Sequence, residues 1–285
     1  MLPMTKIPYP PKRPLSVGEI LDLTFQIYRA TLLRCLLFSV LGVIAGQLTS
    51  IYTIIRGRGV GGGLQDFMQA LVGAQGDATF KALYVIGSVL TLILYAAVLL
   101  RQRGLLSDRP VGGELMMGLR RTPALIGLGL LVGLSVLVCL LPAWLAHGVT
   151  RYSIALLMLI PASYVLVALS CAFIVLLIEG AGPIASYQRS WRLTAGSFWR
   201  LSLVYTVGVI VLVVMSFIIS MIAAFLAAVF GRGDVVLAAA ATGVTIIALS
   251  AITTPFYTAL GLAVFGDLTA RKEGSDLEQR ISATV

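Results

Sequence analysis

The chain reads as an all-α membrane protein with six transmembrane helices. Three observations predict this. Its charge is scarce, its apolar residues fall into six long segments, and its basic residues crowd into alternate connections. Of 285 residues, 59% are hydrophobic and only 12% charged, and the mean hydropathy is +0.99. A soluble domain carries about a quarter charged residues because its surface faces water. Lipid must therefore replace water over much of this surface.

The first fourteen residues, MLPMTKIPYPPKRP, are rich in proline and base and predict a disordered cytoplasmic tail (1–14). A membrane domain is expected over 15–266 and a second cytoplasmic tail over 267–285. The apolar segments run approximately from Cys35 to Ile55, Ala82 to Leu100, Pro123 to Ala146, Ile154 to Ile178, Leu201 to Phe230 and Val235 to Phe265. About 20 helical residues cross a hydrocarbon core of about 30 Å, so each can span. None contains Asp, Glu, Lys, Arg or His. Barrel strands would alternate polar with apolar residues; these segments are apolar on all sides, which selects helices.

Orientation follows from the basic residues. With the amino terminus inside, the inner connections hold sixteen Lys and Arg and the outer ones five. Both termini are thus expected in the cytoplasm, in a bacterial inner membrane. The net charge of +9 is read as a topology signal rather than a nucleic-acid footprint, since no aromatic residues interleave with a soluble basic stripe. Trp144, Trp191 and Trp199 fall where this layout puts a membrane interface, which suits a half-buried indole.

Ser16-Val-Gly-Glu19 has the form of a capping box and predicts a helix start. Val17, Leu21, Phe25, Tyr28 and Leu32 then fall on one face, with Glu19, Asp22 and Arg29 on another. The pattern predicts an interfacial amphipathic helix on the cytoplasmic leaflet, with a plain extension of the first span as the alternative. Pro110–Arg121 and Pro183–Arg192 have the same composition and also precede odd-numbered spans. Three repeated hairpins, each led by an amphipathic helix, are the expected plan.

Three stretches resemble a known family. RPLSVGEILDLTFQIYR (13–29), GPIASYQRSWRLTAGSFWRL (182–201) and FGDLTARKEGSDLE (265–278) are similar to the opening, central motif and ending of a bacterial membrane domain. That domain is found fused to glycerophosphodiester phosphodiesterases. The resemblance implies a multi-span membrane domain without a defined activity. Fused members add a soluble barrel with acidic metal ligands and a histidine pair. Here His147 is the single histidine, and it is predicted to face outside, so phosphodiesterase activity is not carried over.

No catalytic constellation emerges. His147 lacks a paired nucleophile. The glycine-rich stretch from Gly57 to Gly63 lacks the Gly-Lys-Ser/Thr that would hold phosphate. GLQDFMQALVGAQ, within the same outer connection, could form a short helix. Cys35, Cys139 and Cys171 are far apart and predict buried small hydrophobes rather than metal ligands. No cofactor or metal is expected.

Polar and flexible features inside the spans are the candidates for helix packing or a pathway. Gly42 with Gly46, and Gly129 with Gly133, have the spacing that lets helices approach closely. Gln47 is expected to hydrogen-bond between helices, because an unpaired amide in hydrocarbon costs roughly 2–7 kcal/mol. Pro161 and Pro255 interrupt long spans. Thr253, Thr254, Pro255 and Tyr257 form the most polar intramembrane patch. At the cytoplasmic side, Glu19, Asp22, Arg29, Glu179, Arg189, Arg192, Asp267 and Arg271 are the candidates for an ion-pair network or a partner surface.

The functional expectation is a non-enzymatic scaffold or accessory subunit, with membrane lipids and a cytoplasmic or membrane protein as partners. The alternative is a transporter or channel for a lipid-like or small uncharged solute. The two differ structurally. A scaffold predicts a closed bundle, and a transporter predicts a cavity lined by residues such as Gln47 and Thr253.

Overall fold

The computed structural model describes the backbone of residues 9–11, 13–56, 78–107, 112–148, 150–231 and 235–284. It describes their side chains except at 54, 223, 227, 230, 231, 235–242, 246 and 273–284. The expected short helix after the glycine-rich stretch lies outside these residues.

The described residues form helices and their connections. In chain order these are α1 (Val17–Gly46), α2 (Leu48–Ile55), α3 (Ala78–Leu106), α4 (Glu114–Leu145), α5 (Thr150–Ala168), α6 (Ala172–Glu179), α7 (Pro183–Thr194), α8 (Phe198–Gly231) and α9 (Val235–Thr284). Six helical spans are long and apolar enough to cross a membrane, the fourth running through α5 and α6. The all-α, six-span architecture is therefore as expected.

The capping box is present in full. The Glu19 N–H donates to Ser16 Oγ at 3.3 Å, and the Ser16 N–H donates to Glu19 Oε2 at 2.7 Å. Two orphan donors are satisfied at the helix start. The rest of this helix departs from the expectation. The amphipathic stretch does not lie apart on the leaflet but continues into the first span as a single 30-residue helix. The face turned to the bundle is Ile20, Leu23, Thr24, Ile27 and Thr31, whereas Phe25 is exposed. The burial surface is set by α9, against which this part of α1 packs, and not by apolarity alone.

The stretches that lead the odd-numbered spans are not alike. The one before the third span is continuous with α4 from Glu114, and among the described residues α7 alone stands as a separate helix. Tyr9 donates to the Leu262 carbonyl at 3.2 Å, which ties the amino-terminal segment to α9. α9 runs as helix through Thr284, beyond the last apolar segment.

Consecutive spans pack on one another, and α1 closes the bundle against α9. Burial is uneven. In the sixth span 59% of the most apolar window is buried, and in the fifth none is. α9 is thus the central helix and α8 a peripheral one. Since lipid is as apolar as leucine, tight fit rather than water exclusion must hold such helices together. The main core supplies it with Ile20, Ile27, Leu128, Leu177, Leu201 and Leu260, all nearly or wholly buried. Glycines bring the backbones close. A Cβ at Gly87 would lie 2.5 Å from the Ala45 carbonyl oxygen, and one at Gly208 would lie 2.5 Å from Leu260 Cδ2.

The fourth span breaks at Leu169–Cys171, between α5 and α6, rather than at Pro161. Pro161 sits within α5 on an exposed face. The break leaves the Ala168 carbonyl without a helical partner, and Ser190 and Thr194 of α7 donate to it at 2.9 and 3.0 Å. α7 is thereby tied back against the hinge of the span that precedes it. Cys35 and Cys171 are fully buried and Cys139 partly so; all three are free thiols.

Candidate functional site

Polar groups gather in two places. The first is the end of the bundle where residues 9–19, the start of α8 and the later part of α9 meet. Asp267 is its centre and is 0% exposed. Arg200 Nη1 lies 2.7 Å from one carboxylate oxygen, and Arg271 Nε lies 3.2 Å from the other. The Leu15 N–H donates to the carboxylate at 2.7 Å, while the Leu15 carbonyl accepts from Arg271 Nη2 at 2.6 Å. A single buried acid therefore joins three segments, and its charge is compensated by two guanidinium groups. Burial raises the Tyr9 phenol above its ordinary value, which keeps it a proton donor towards Leu262.

The other acidic and basic candidates divide. Glu19 pairs with Arg13 at 2.5 Å, and Glu179 with Arg189 at 3.5 Å, both near the surface. Asp22, Arg29 and Arg192 are exposed and make no ion pair among the described residues. Arg121 donates to the carbonyls of Leu176 and Leu177. It caps the negative end of α6, where a cation is favoured. The chain then turns at Gly180, whose φ of 72° favours glycine.

The second place is a cavity between α1, α3 and α9. One lobe, of about 480 Å³, is bounded by Gly46, Thr49, Tyr84, Gly87, Ser88 and Thr91 among others. The adjoining lobe, of about 270 Å³, is bounded by Phe38, Ser39, Gly42, Gln47, Ser250 and Thr254 among others. The lobes share Gly46, Thr91 and Tyr95 as a wall. All of these residues belong to predicted spans, so the cavity lies at membrane depth. Among the described residues, no charged side chain lines either lobe.

Small residues make this space. At the α1–α3 crossing a Cβ at Gly42 would meet Leu94 Cβ at 3.4 Å, and one at Gly46 would meet Thr91 Oγ1 at 3.3 Å. The Gly42/Gly46 spacing thus performs its expected role. The Gly129/Gly133 spacing does not. Gly133 has nothing within 4 Å of its Cβ position, and Gly129 touches only the far end of Phe173 at 3.9 Å.

Of the remaining candidates, Gln47 lines the cavity and, among the described residues, its side chain bonds to no other helix, contrary to expectation. Thr254 lines it too, with its hydroxyl donated to the Ser250 carbonyl at 3.0 Å. Thr253 points elsewhere along α9 and donates to the same carbonyl. The Tyr257 ring, half exposed, lies 6.4 Å from that of Tyr95.

Pro255 has a partner that sequence spacing does not suggest. Its carbonyl accepts from Gln102 Nε2 at 2.9 Å, and the same amide nitrogen donates to Thr31 Oγ1 at 3.1 Å. Gln102 is fully buried and links α1, α3 and α9 one turn from the cavity-lining Val98. Its place between Arg101 and Arg103, just past the apolar run, disguises it as a loop residue. Arg200 reads in the sequence only as a topology charge. The hydroxyl pattern Ser186, Ser190, Thr194, at intervals of four, is a legible signal for the α7 contact.

Trp144 and Trp199 are largely exposed in end turns of α4 and α8. Trp191 packs edge-on against Tyr164.

No protein-family model, curated protein or solved structure matches the chain.

Proposed function

We propose that this multi-pass membrane protein binds, and by doing so moves or presents, an uncharged lipid-like molecule in the cavity between α1, α3 and α9. The observation that carries the reading is the cavity itself. It lies within the predicted spans, is bordered by Gly42, Gly46, Gln47 and Thr254, and has no charged lining among the described residues. A half-open, mostly apolar cleft with a few convergent polar groups suits a small amphiphile. The absence of acids and bases in the wall argues for a neutral solute, since an unpaired charge there would be heavily penalised.

The scaffold reading has less support. It rested on three free amphipathic helices at the inner face, and two of those stretches are parts of spans. The resemblance to the phosphodiesterase-associated membrane domain fits either reading. An inner-membrane location with both termini cytoplasmic rests on the distribution of Lys and Arg and belongs to the same proposal.

The test uses the full chain in lipid nanodiscs with a photoreactive diacylglycerol. Covalent label is expected on peptides from α1, α3 and α9. Ser88→Phe, which fills the first lobe from an exposed position in its wall, is expected to reduce it strongly while leaving the protein folded and monodisperse. Label spread evenly over all lipid-facing helices, unaffected by Ser88→Phe, would overturn the reading.

A further inference from the structure

Arg13, Arg189, Arg200 and Arg271 pair with acids, and Arg121 donates to the carbonyls near the end of α6. Arg34 and Arg101 are different. Among the described residues neither makes a hydrogen bond or an ion pair, and Glu114, the acid in the first turn of α4, pairs with neither.

Two contacts place these arginines together. Cys35 Sγ lies 3.9 Å from the Val98 carbonyl oxygen, and Gln102 Nε2 donates to Thr31 Oγ1 at 3.1 Å. They fix the register of α1 against α3, and both arginines fall between them, Arg34 next to Cys35 and Arg101 next to Gln102. The two also share a side of the seam. The Arg101 guanidinium lies over the Phe38 ring, 4.8 Å from its centroid, and Arg34 is one turn from Phe38 on the same face of α1.

Each stands at the edge of an apolar run, Arg34 just before the first span and Arg101 just after Leu100 of the second. A helical side chain leans towards its own amino terminus. Arg34 thus leans out of the apolar zone and is exposed, whereas Arg101 leans back into it, onto Phe38. The Arg101 Nε is buried there, while its two terminal nitrogens carry no hydrogen bond and are not buried. A guanidinium drawn towards hydrocarbon without a counter-ion is unfavourable. Stacking on an aromatic ring offsets part of that cost and leaves the terminal donors free. The counter-ion found at this depth of a membrane is a lipid phosphate, which suits the planar fork of a guanidinium. Leu33, Leu37 and Leu41 form an exposed row on α1 beside the pair, a surface for acyl chains.

We propose that Arg34 and Arg101 bind the phosphate of an anionic membrane lipid, whose chains lie along Leu33, Leu37 and Leu41. Basic pockets between membrane helices recognise such headgroups. Neither arginine lines the cavity between α1, α3 and α9, so the inference does not depend on what that cavity holds.

The experiment purifies the full chain in mild detergent and adds equal amounts of phosphatidylglycerol and phosphatidylcholine with the same acyl chains. Native mass spectrometry counts the lipids retained. Phosphatidylglycerol is expected to exceed phosphatidylcholine by about tenfold or more. Arg34→Gln and Arg101→Gln are each expected to lower that ratio about fivefold, and the double variant to bring it near one. Arg101→Lys, which keeps the charge without the fork, is expected to retain part of the preference. Arg192→Gln, at an exposed arginine of α7, is expected to leave the ratio unchanged. Without lipid, the Arg34 and Arg101 variants are expected to melt like the parent, since neither guanidinium bonds to another part of the fold.

An equal fall in Arg192→Gln would show a response to net charge instead of a site, and an unchanged ratio in the double variant would remove both arginines from it. If inorganic phosphate displaces phosphatidylglycerol and raises the melting temperature of the delipidated protein through the same two arginines, the site takes a free anion and the lipid assignment fails. Equal loss of stability in Arg101→Gln and Glu114→Gln would show that these two residues are paired within the fold, and would also overturn the proposal.

Discussion

The basic end and the cavity use the same helices to opposite effect. Around Asp267, α1 and α9 are joined by a neutralised carboxylate, and the Leu15 N–H and carbonyl are both bonded. Further along α1, glycine and serine replace leucine and isoleucine, its backbone comes close to α3, and space remains between α1, α3 and α9. Large side chains that interdigitate gain many small dispersion contacts. Small ones bring helices together at a point but cannot fill the volume on either side. Close helix approach and dense packing are thus separate properties, and a bundle can be clamped at one end and loosely filled beside a crossing further along.

The largest way to break this contrast is to remove the clamp. Asp267→Ala leaves Arg200 and Arg271 without their shared counter-ion and frees the Leu15 amide. A loss of about 3–5 kcal/mol is expected, as for other buried ion pairs broken on one side. Thermal unfolding in mild detergent measures it. Asp267→Asn keeps an acceptor for Leu15 and should lose less.

A smaller effect sharpens the role of glycine. Gly87→Ala places a methyl group 2.5 Å from the Ala45 carbonyl, so α1 and α3 must part. We expect a loss of about 1–3 kcal/mol, in the range of overpacked sites, with altered labelling of the cavity. Gly133→Ala enters open space and should change stability by no more than about 0.5 kcal/mol. Equal effects of the two substitutions would contradict the assigned crossing.

The smallest effect concerns the link between the two regions. Gln102→Leu deletes the hydrogen bonds to Thr31 and to the Pro255 carbonyl at the edge of the hollow. Hydrogen bonds between membrane helices average about 0.6 kcal/mol and reach about 1.7. A loss within that range is expected, together with faster probe entry. Unchanged entry kinetics would confine Gln102 to a structural part.

How far the sequence can be read depends on the range of the interaction. The capping box at Ser16 and Glu19 is legible because both bonds close within three residues. The Gly42/Gly46 contact is legible because spacing on one helix defines a face. Gly129 and Gly133 have the same spacing, yet no helix backbone lies against them, and nothing local distinguishes the two pairs. Gln102 and Arg200 read as residues of basic loops, and both join distant helices. Their partners, Pro255 and Asp267, lie 153 and 67 positions away.

The amino-acid sequence by itself determined that the chain is helical and has six apolar spans, because hydrocarbon length and backbone satisfaction are local demands that each segment meets alone. Only the tertiary structure decided that α9 is central and α8 peripheral. The amphipathic start of α1 merges with a span, and Gln102 joins three helices, for the same reason. Those outcomes depend on which helix lies opposite, and between apolar surfaces in lipid the choice rests on shape, which one strand of sequence does not carry.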